Sequence, residues 1–199
     1  MEVVESHFFA LLSRLKYIER WALMRSASPE NLADHSLEVA MIAHALCVIG
    51  NVRYGKSLNA ERAALIGMYH DASEIITGDM PTPVKYFNSE IRSAYAKVEE
   101  AAAERLISAL PDDLRPVYED ILHGNDDEYL MRLVKAADKI SALIKCVDEE
   151  HAGNEEFKTA ADSTRLAIDA MAIDMPEVAD FLREFLPSYG RTLDELLGD

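Results

Sequence analysis

The sequence predicts an all-α protein on three observations. Apolar residues recur mostly at spacings of three and four, as in Leu37, Ala40, Met41, Ala45 and Val48. Leu65, Met68, Tyr69 and Ala72 repeat the pattern, as do Leu130, Leu133, Val134, Ala137 and Ile140. Strict apolar–polar alternation never runs beyond a few positions, so no half-buried strand is readable. The periodic segments are punctuated by helix-ending pairs, Gly50-Asn51, Thr77-Gly78 and Gly153-Asn154.

The first helix is expected from about Ser6 to Arg20, followed by a loop over Trp21 to Pro29. The second runs from Asn31 to Gly50-Asn51, with Asn31 and Asp34 forming an N-terminal cap. A third begins after Asn59 and continues to Thr77-Gly78. Asp79-Met-Pro-Thr-Pro is expected to be non-helical, because two prolines two apart force an extended or turn path. Further helices are expected over Ser89–Leu110, Pro111–Leu122 and Asp126–His151, with two or three more filling Glu155 to Leu197.

With 199 residues, 49% of them apolar, the chain has room for one large domain or two small ones. No Pro/Gly/Ser-rich linker or repeat divides it, so one helical domain over residues 1–199 is the simplest expectation. Lys and Arg number 20 against 36 Asp and Glu, a formal charge of −16. That excludes a nucleic-acid backbone or an anionic membrane as the main partner, since both need a broad basic face. Charges interrupt every window of 18 residues, so no transmembrane helix is read, and the N-terminus has no signal-peptide pattern. Cys47 and Cys146 lie in apolar helical surroundings and read as small buried hydrophobes. These features together predict a soluble cytoplasmic protein.

Three places hold chemically unusual residues in apolar helical context: His35 in Ala33-Asp-His-Ser-Leu-Glu, His70 and Asp71 in Gly67-Met-Tyr-His-Asp-Ala-Ser-Glu, and Asp138 in Leu133-Val-Lys-Ala-Ala-Asp-Lys-Ile. A single such histidine is ordinarily a packed core residue, and a single such aspartate a cap or half of an ion pair. A carboxylate drawn toward the interior is costly unless paired or bound to a metal, and here the residues occur together. Two imidazoles and two carboxylates form a mixed N/O set suited to Mn, Fe, Co or Zn rather than Ca or Mg. His70 and Asp71 would stand about 100° apart on a helix and could share an ion over the wedge between them. His44 is nine positions after His35, on the opposite face, and His7, His123 and His151 lack comparable company. One metal is therefore expected.

Glu74, three and four residues beyond Asp71 and His70, would share their face and could act in proton transfer. Asp79 reads either as a turn residue or as a carboxylate contacting substrate. Residues 6–25 hold four bases and one acid, whereas residues 147–199 hold 14 acids and four bases. Positive charge for an anionic ligand is thus concentrated near the N-terminus. Arg20-Trp21 pairs a bidentate anion binder with a flat aromatic wall, although a lone tryptophan is equally often a core anchor. Lys85 is a second candidate anion contact.

The His35, His70-Asp71, Asp138 order resembles the HD-domain metal-dependent phosphohydrolases, and more narrowly the bacterial YfbR-like 5′-deoxynucleotidases. The resemblance is carried by Ser6-His-Phe-Phe-Ala, Arg20-Trp-x-Leu-Met-Arg, Asp34-His-Ser-Leu, Met68-Tyr-His-Asp-Ala-Ser-Glu, Thr77-Gly-Asp-Met-Pro-Thr-Pro-Val-Lys-Tyr-Phe-Asn and Leu133-Val-Lys-Ala-Ala-Asp. It covers most of the chain and fades over the last 40 or so residues. It implies a single HD-domain helical bundle, usually dimeric, that removes phosphate from deoxyribonucleoside 5′-monophosphates using Co, Mn or Cu, with Zn or Fe as further candidates. It implies His35, His70, Asp71 and Asp138 as ligands, Glu74 as the catalytic carboxylate and Arg20 as the phosphate-orienting, catalytic cation. Trp21 would exclude a ribose 2′-OH. Asp79, Met80, Pro81 and Thr82 would line the nucleotide pocket, with His35, Asp71 and Asp138 also bordering the substrate.

The chemistry expected is attack of a cation-activated water on phosphorus, Glu74 serving either that water or the departing 5′-oxygen. Two alternatives stand beside this reading. One is an HD enzyme acting on another phosphate ester, such as a phosphodiesterase, a (p)ppGpp hydrolase or a deoxynucleoside triphosphate hydrolase. The other is a metal-stabilised binding module without catalysis.

Overall fold

A computed structural model describes residues 5–123 and 126–198. Helices account for its regular structure: α1 (Phe8–Leu12), α2 (Leu32–Tyr54), α3 (Ala60–Tyr69), α4 (Glu74–Thr77), α5 (Thr82–Lys85), α6 (Ser89–Ile107), α7 (Arg115–His123), α8 (Glu128–His151), α9 (Lys158–Ala172), α10 (Pro176–Glu184) and α11 (Leu193–Leu197). Short 3₁₀ turns occupy Ser13–Tyr17, Glu155–Phe157 and Leu186–Ser188. Among the described residues there is no strand, only an isolated antiparallel bridge between Glu19 and Asn31. The all-helical expectation holds.

The chain divides into two compact units. The first takes in the described residues of Met1–Leu23, Pro29–Ser36 and Met68–Asn125. Its core joins Phe8, Ala72, Leu106 and Leu110, with Leu11, Tyr69, Ile75 and Tyr118 packed around them. Phe8 meets Tyr118 edge-on with ring centroids 4.7 Å apart, the geometry aromatic quadrupoles favour. The second unit takes in the described residues of Met24–Ser28, Leu37–Gly67 and Asp126–Asp199. Its larger core is built from α2, α3, α8, α9 and α10.

Helix α8 forms as its sequence dictates. The Asp127 carboxylate accepts from the backbone N–H groups of Tyr129 and Leu130, capping the first turn. Leu130, Leu133, Val134, Ala137 and Ile140 then bury one stripe. Helix α2 begins on the expected cap: Asn31 Oδ1 accepts from the N–H groups of Ala33 and Asp34, and its amide donates to Asp34.

The periodic residues read from α2 do not mark its core face, however. Leu37, Met41 and Val48 are exposed, while Val39, Ile42, Ala43, Leu46 and Cys47 are buried. This helix is apolar on nearly every side, so spacing alone cannot say which side packs. The same composition corrects the membrane reading. Leu32–Tyr54 is long and apolar enough to cross a membrane, with mean hydropathy 1.5 over its best window. Over half of that window, 56%, is buried within the protein, so core packing accounts for its apolarity. In α3, likewise, Ala63, Ile66 and Gly67 are buried and Met68 is exposed. A Cβ on Gly67 would lie 3.0 Å from Ala40 Cα, so glycine permits α2 and α3 to approach backbone to backbone.

Helix α2 runs past its expected stop at Gly50-Asn51 to Tyr54, α7 starts at Arg115 rather than Pro111, and three further boundaries differ for identifiable reasons. The first helix stops at Leu12, where Ser13 Oγ turns back to donate to the Ala10 carbonyl and the chain tightens into a 3₁₀ turn. The third helix is broken after Tyr69: Ala72 N–H bonds to the Tyr69 carbonyl and Glu74 N–H to the Asp71 carbonyl, a tighter i+3 pattern over residues 70–73. The proline segment is non-helical only as far as Pro81, since Thr82-Pro83 open the short helix α5, with Pro83 in its first turn, where it is tolerated. Helix α4 ends as expected at Gly78, whose φ of 73° disfavours a side chain.

Candidate active site

The tight turn at residues 70–73 aims two adjacent side chains at one point. Asp71 Oδ2 lies 3.0 Å from His70 Nε2 and 3.5 Å from His35 Nε2, and the two imidazole centroids are 5.2 Å apart. His35 is fully buried on the first turns of α2; His70 and Asp71 are half-buried. Asp138 lies on α8, in the second unit. It accepts from Lys135 Nζ at 2.7 Å. Ligands at about 2.1 Å from a shared cation stand roughly 3 to 4 Å apart, so the 3.0 and 3.5 Å separations of His70 and His35 from Asp71 match those of ligands to one cation. His44, by contrast, is exposed on the far side of α2.

Glu74 opens α4 and is buried, with its Oε2 atom lacking any hydrogen-bond partner among the described residues. Burial first, then the charges of Asp71 and Asp79, push its carboxyl up to about 9, against the pull of Lys85 and Arg20. Asp79 is also raised, chiefly by burial, while Arg20 and a hydrogen bond from the Trp21 backbone N–H oppose the rise. Met80 and Pro81 are half-buried beside it, and Thr82 is exposed.

Of the four N-terminal cations, the structure brings one into this neighbourhood. Arg14 and Lys16 lie over the Tyr17 ring, and Arg25 pairs with Glu156. Arg20 instead is half-buried. Its Nη1 donates to Glu30 Oε2 at 2.7 Å, and its buried Nε has no partner among the described residues. Lys85 pairs with Glu99 at 2.7 Å and is one of the two cations that act on Glu74. Trp21 is the one non-glycine residue described with positive φ, at 61°. Such a conformation costs about 1–3 kcal/mol and persists where surroundings over-determine it. The indole Nε1 donates to Glu30 Oε2 at 2.8 Å, and the Arg20 guanidinium sits 5.6 Å from the indole ring.

Sequence reasoning missed one residue that shapes this site, Glu30, and one that sets helix packing, Gly67. Glu30 is ten positions from Arg20 and carries no motif. Gly67 was legible as a glycine inside a helical pattern, which often marks close backbone approach.

The chain matches the model of the family described as 5′-deoxynucleotidase YfbR-like over residues 7–189. It is 50% identical over 193 residues to a 5′-deoxynucleotidase from Vibrio cholerae, covering 96% of this chain and 98% of that one. It is 48% identical to the 5′-deoxynucleotidase YfbR of Escherichia coli, with 98% of each chain covered. Among solved structures, an HD-domain phosphohydrolase from Listeria innocua superposes with a TM-score of 0.81 at 29% identity, over 92% of this chain and 88% of that one. The fold and the near full-length identity agree: the chain belongs to the YfbR-like 5′-deoxynucleotidase family.

Proposed function

We propose that this protein is a divalent-metal-dependent 5′-deoxynucleotidase that hydrolyses deoxyribonucleoside 5′-monophosphates to deoxyribonucleosides and phosphate. The observation that carries the reading is the convergence of His35 and His70 on Asp71 next to a buried carboxyl, Glu74. His35, His70, Asp71 and Asp138 would hold the cation; the N/O set suits Mn, Fe, Co or Zn, and the family resemblance favours Co, Mn or Cu. When bound, such a cation polarises a phosphoryl oxygen and lowers the pKa of water near it.

The protein's own groups perform the rest. Arg20 binds and orients the phosphate, its guanidinium offsetting charge that builds on the non-bridging oxygens. Glu74 is the proton-transfer group, accepting from the attacking water or giving to the departing 5′-oxygen. Trp21 presents a rigid wall against which a ribose 2′-OH would be desolvated without a partner, which disfavours ribonucleotides. Asp79, Met80, Pro81 and Thr82 border the nucleoside, along with His35, Asp71 and Asp138.

Phosphate release from a panel of deoxy- and ribonucleoside monophosphates with Co, Mn, Cu, Zn or Mg added, and with EDTA as control, tests the reading. Metal-dependent release from dAMP supports it; release unaffected by EDTA, or only from diesters or triphosphates, overturns it. The family resemblance and the exposed apolar residues Leu37, Met41, Val48 and Val52 on α2 support a homodimer, checked by light scattering. We place the reaction in the cytoplasm, where the buried thiol of Cys47 stays reduced.

A further inference from the structure

Glu30 joins two groups that the proposed reaction uses for different purposes. Its Oε2 atom accepts from Arg20 Nη1 at 2.7 Å and from Trp21 Nε1 at 2.8 Å. A carboxylate oxygen has two lone pairs, so this one atom is filled by the two donors. The ion pair is largely withdrawn from water, with side-chain exposures of 11% for Arg20 and 13% for Glu30.

Glu30 is itself held in place by backbone. Arg20 N–H donates to the Glu30 carbonyl at 2.9 Å, Leu32 N–H donates to the Ile18 carbonyl at 3.0 Å, and Glu19 bridges Asn31. Residues 18–20 and 30–32 thus form a short antiparallel ladder that runs directly into α2 and His35. Opposite this ladder Trp21 adopts its left-handed backbone, tied at the indole by Glu30 and at the backbone N–H by Asp79. Two ties at opposite ends of one residue are what an unfavourable φ requires in order to persist.

We propose that Glu30 is a positioning residue and specificity determinant: by holding Arg20 and Trp21 on one oxygen, it keeps the phosphate-binding cation and the ribose-facing indole in a single fixed register. The proposal rests on the reading of Arg20 and Trp21 given above. Glu30 acts through these two side chains. It occupies Nη1 of the guanidinium, and it prevents the indole from rotating away from the position that would exclude a 2′-OH.

The test uses Glu30→Ala, Glu30→Asp and Glu30→Gln in the full chain. Trp21 is the sole tryptophan, so the fluorescence reports on this side chain alone. In Glu30→Ala the emission should shift to longer wavelength and become more accessible to acrylamide. The kcat/KM preference for dAMP over AMP should fall about tenfold, and KM for dAMP should rise about five- to tenfold with kcat changed less than about threefold. Glu30→Gln keeps an oxygen able to accept twice and should restore emission and preference to within about twofold of the parent. Glu30→Asp is one methylene short of reaching both donors and should resemble the alanine variant, which keeps the test open should alanine not fold.

Unchanged emission and preference in Glu30→Ala or Glu30→Asp would overturn the proposal. So would a folded Glu30→Gln as impaired as alanine, since charge rather than position would then be at work. If the parent shows no dAMP preference, or Trp21→Ala leaves that preference intact, the reading of Trp21 fails instead, and the emission of the Glu30 variants still decides whether Glu30 holds the indole.

Discussion

Asp71 Oδ2 lies 3.0 Å from the Nε2 atom of its own neighbour in sequence, His70, although adjacent side chains on an α-helix point about 100° apart. The chain achieves this by leaving the helix: the i+3 hydrogen bonds over residues 70–73 tighten the backbone and swing the two side chains together. His35 reaches the same carboxylate oxygen from α2.

Replacing Asp71 removes the atom on which both imidazoles converge. Asp71→Ala is expected to abolish turnover and to weaken metal affinity beyond the roughly 10- to 100-fold typical of losing an outer partner. Equilibrium dialysis with Mn or Co beside phosphate release from dAMP checks both at once. Tight metal binding retained by the variant would remove Asp71 from the ligand set.

Glu74→Ala should separate the two properties. Metal affinity is expected to stay within a few-fold of the parent while kcat for dAMP falls about 10²- to 10⁴-fold, the usual contribution of a proton-transfer group. An aryl phosphate, whose leaving group needs no proton, locates the step. A much smaller loss on that substrate assigns Glu74 to the departing oxygen, an equal loss assigns it to the water, and near-normal kcat on both would end its assignment.

The helices and the meeting of His35, His70 and Asp71 were legible because each leaves a local trace. Period, caps and chain-breaking residues are nearest-neighbour effects, and Asn31, Asp127 and Gly78 act in the structure as their chemistry predicts. What could not be read depends on tertiary choice. Helix α2 is apolar all round, so Leu37, Met41 and Val48 look like core residues until Val39, Ile42 and Leu46 are seen to be buried in their place. The break at His70 is invisible to periodicity, because residues 65–77 still carry apolar side chains at helical spacing. Glu30 escapes notice because its importance lies in a contact ten residues away in sequence, to a pair whose own motif is complete without it.

A second carboxylate has a structural role with a pH signature. Glu149 is buried on α8 and accepts from the N–H groups of Ala27 and Ser28, from Asn154 and from Lys145. Despite burial, these hydrogen bonds, Lys145 foremost, lower its carboxyl from 4.5 to about 2. The folded form therefore binds this proton less readily than the unfolded form. The resulting stability is fully present above about 4.5 and is lost as pH falls toward about 2. Glu149→Ala takes the carboxylate from Lys145, which keeps only the Ser28 carbonyl, strands two backbone donors and is expected to destabilise the protein by about 3–5 kcal/mol at pH 7. Urea unfolding of both proteins between pH 7 and 3 checks this, and the gap between them should narrow with acid. A gap independent of pH would show that Glu149 does not hold the charged form in the fold.

The left-handed backbone at Trp21 can be measured apart from its indole. Trp21→Ala and Trp21→Gly remove the same aromatic surface and the same bond to Glu30, so they differ chiefly in whether a Cβ must be carried at φ 61°. Glycine accepts that conformation freely, and although it gains freedom in the unfolded chain, the steric term should dominate. Trp21→Gly is expected to be more stable than Trp21→Ala by about 1 kcal/mol, or about 2–4 °C in Tm for a chain of this size. Both should lose discrimination between dAMP and AMP to a similar extent, because the proposed discrimination rests on the indole and not on the backbone. Equal Tm values would show that the turn relaxes once the indole is gone, and that Glu30 and Asp79 impose the left-handed conformation only by gripping the tryptophan at both ends.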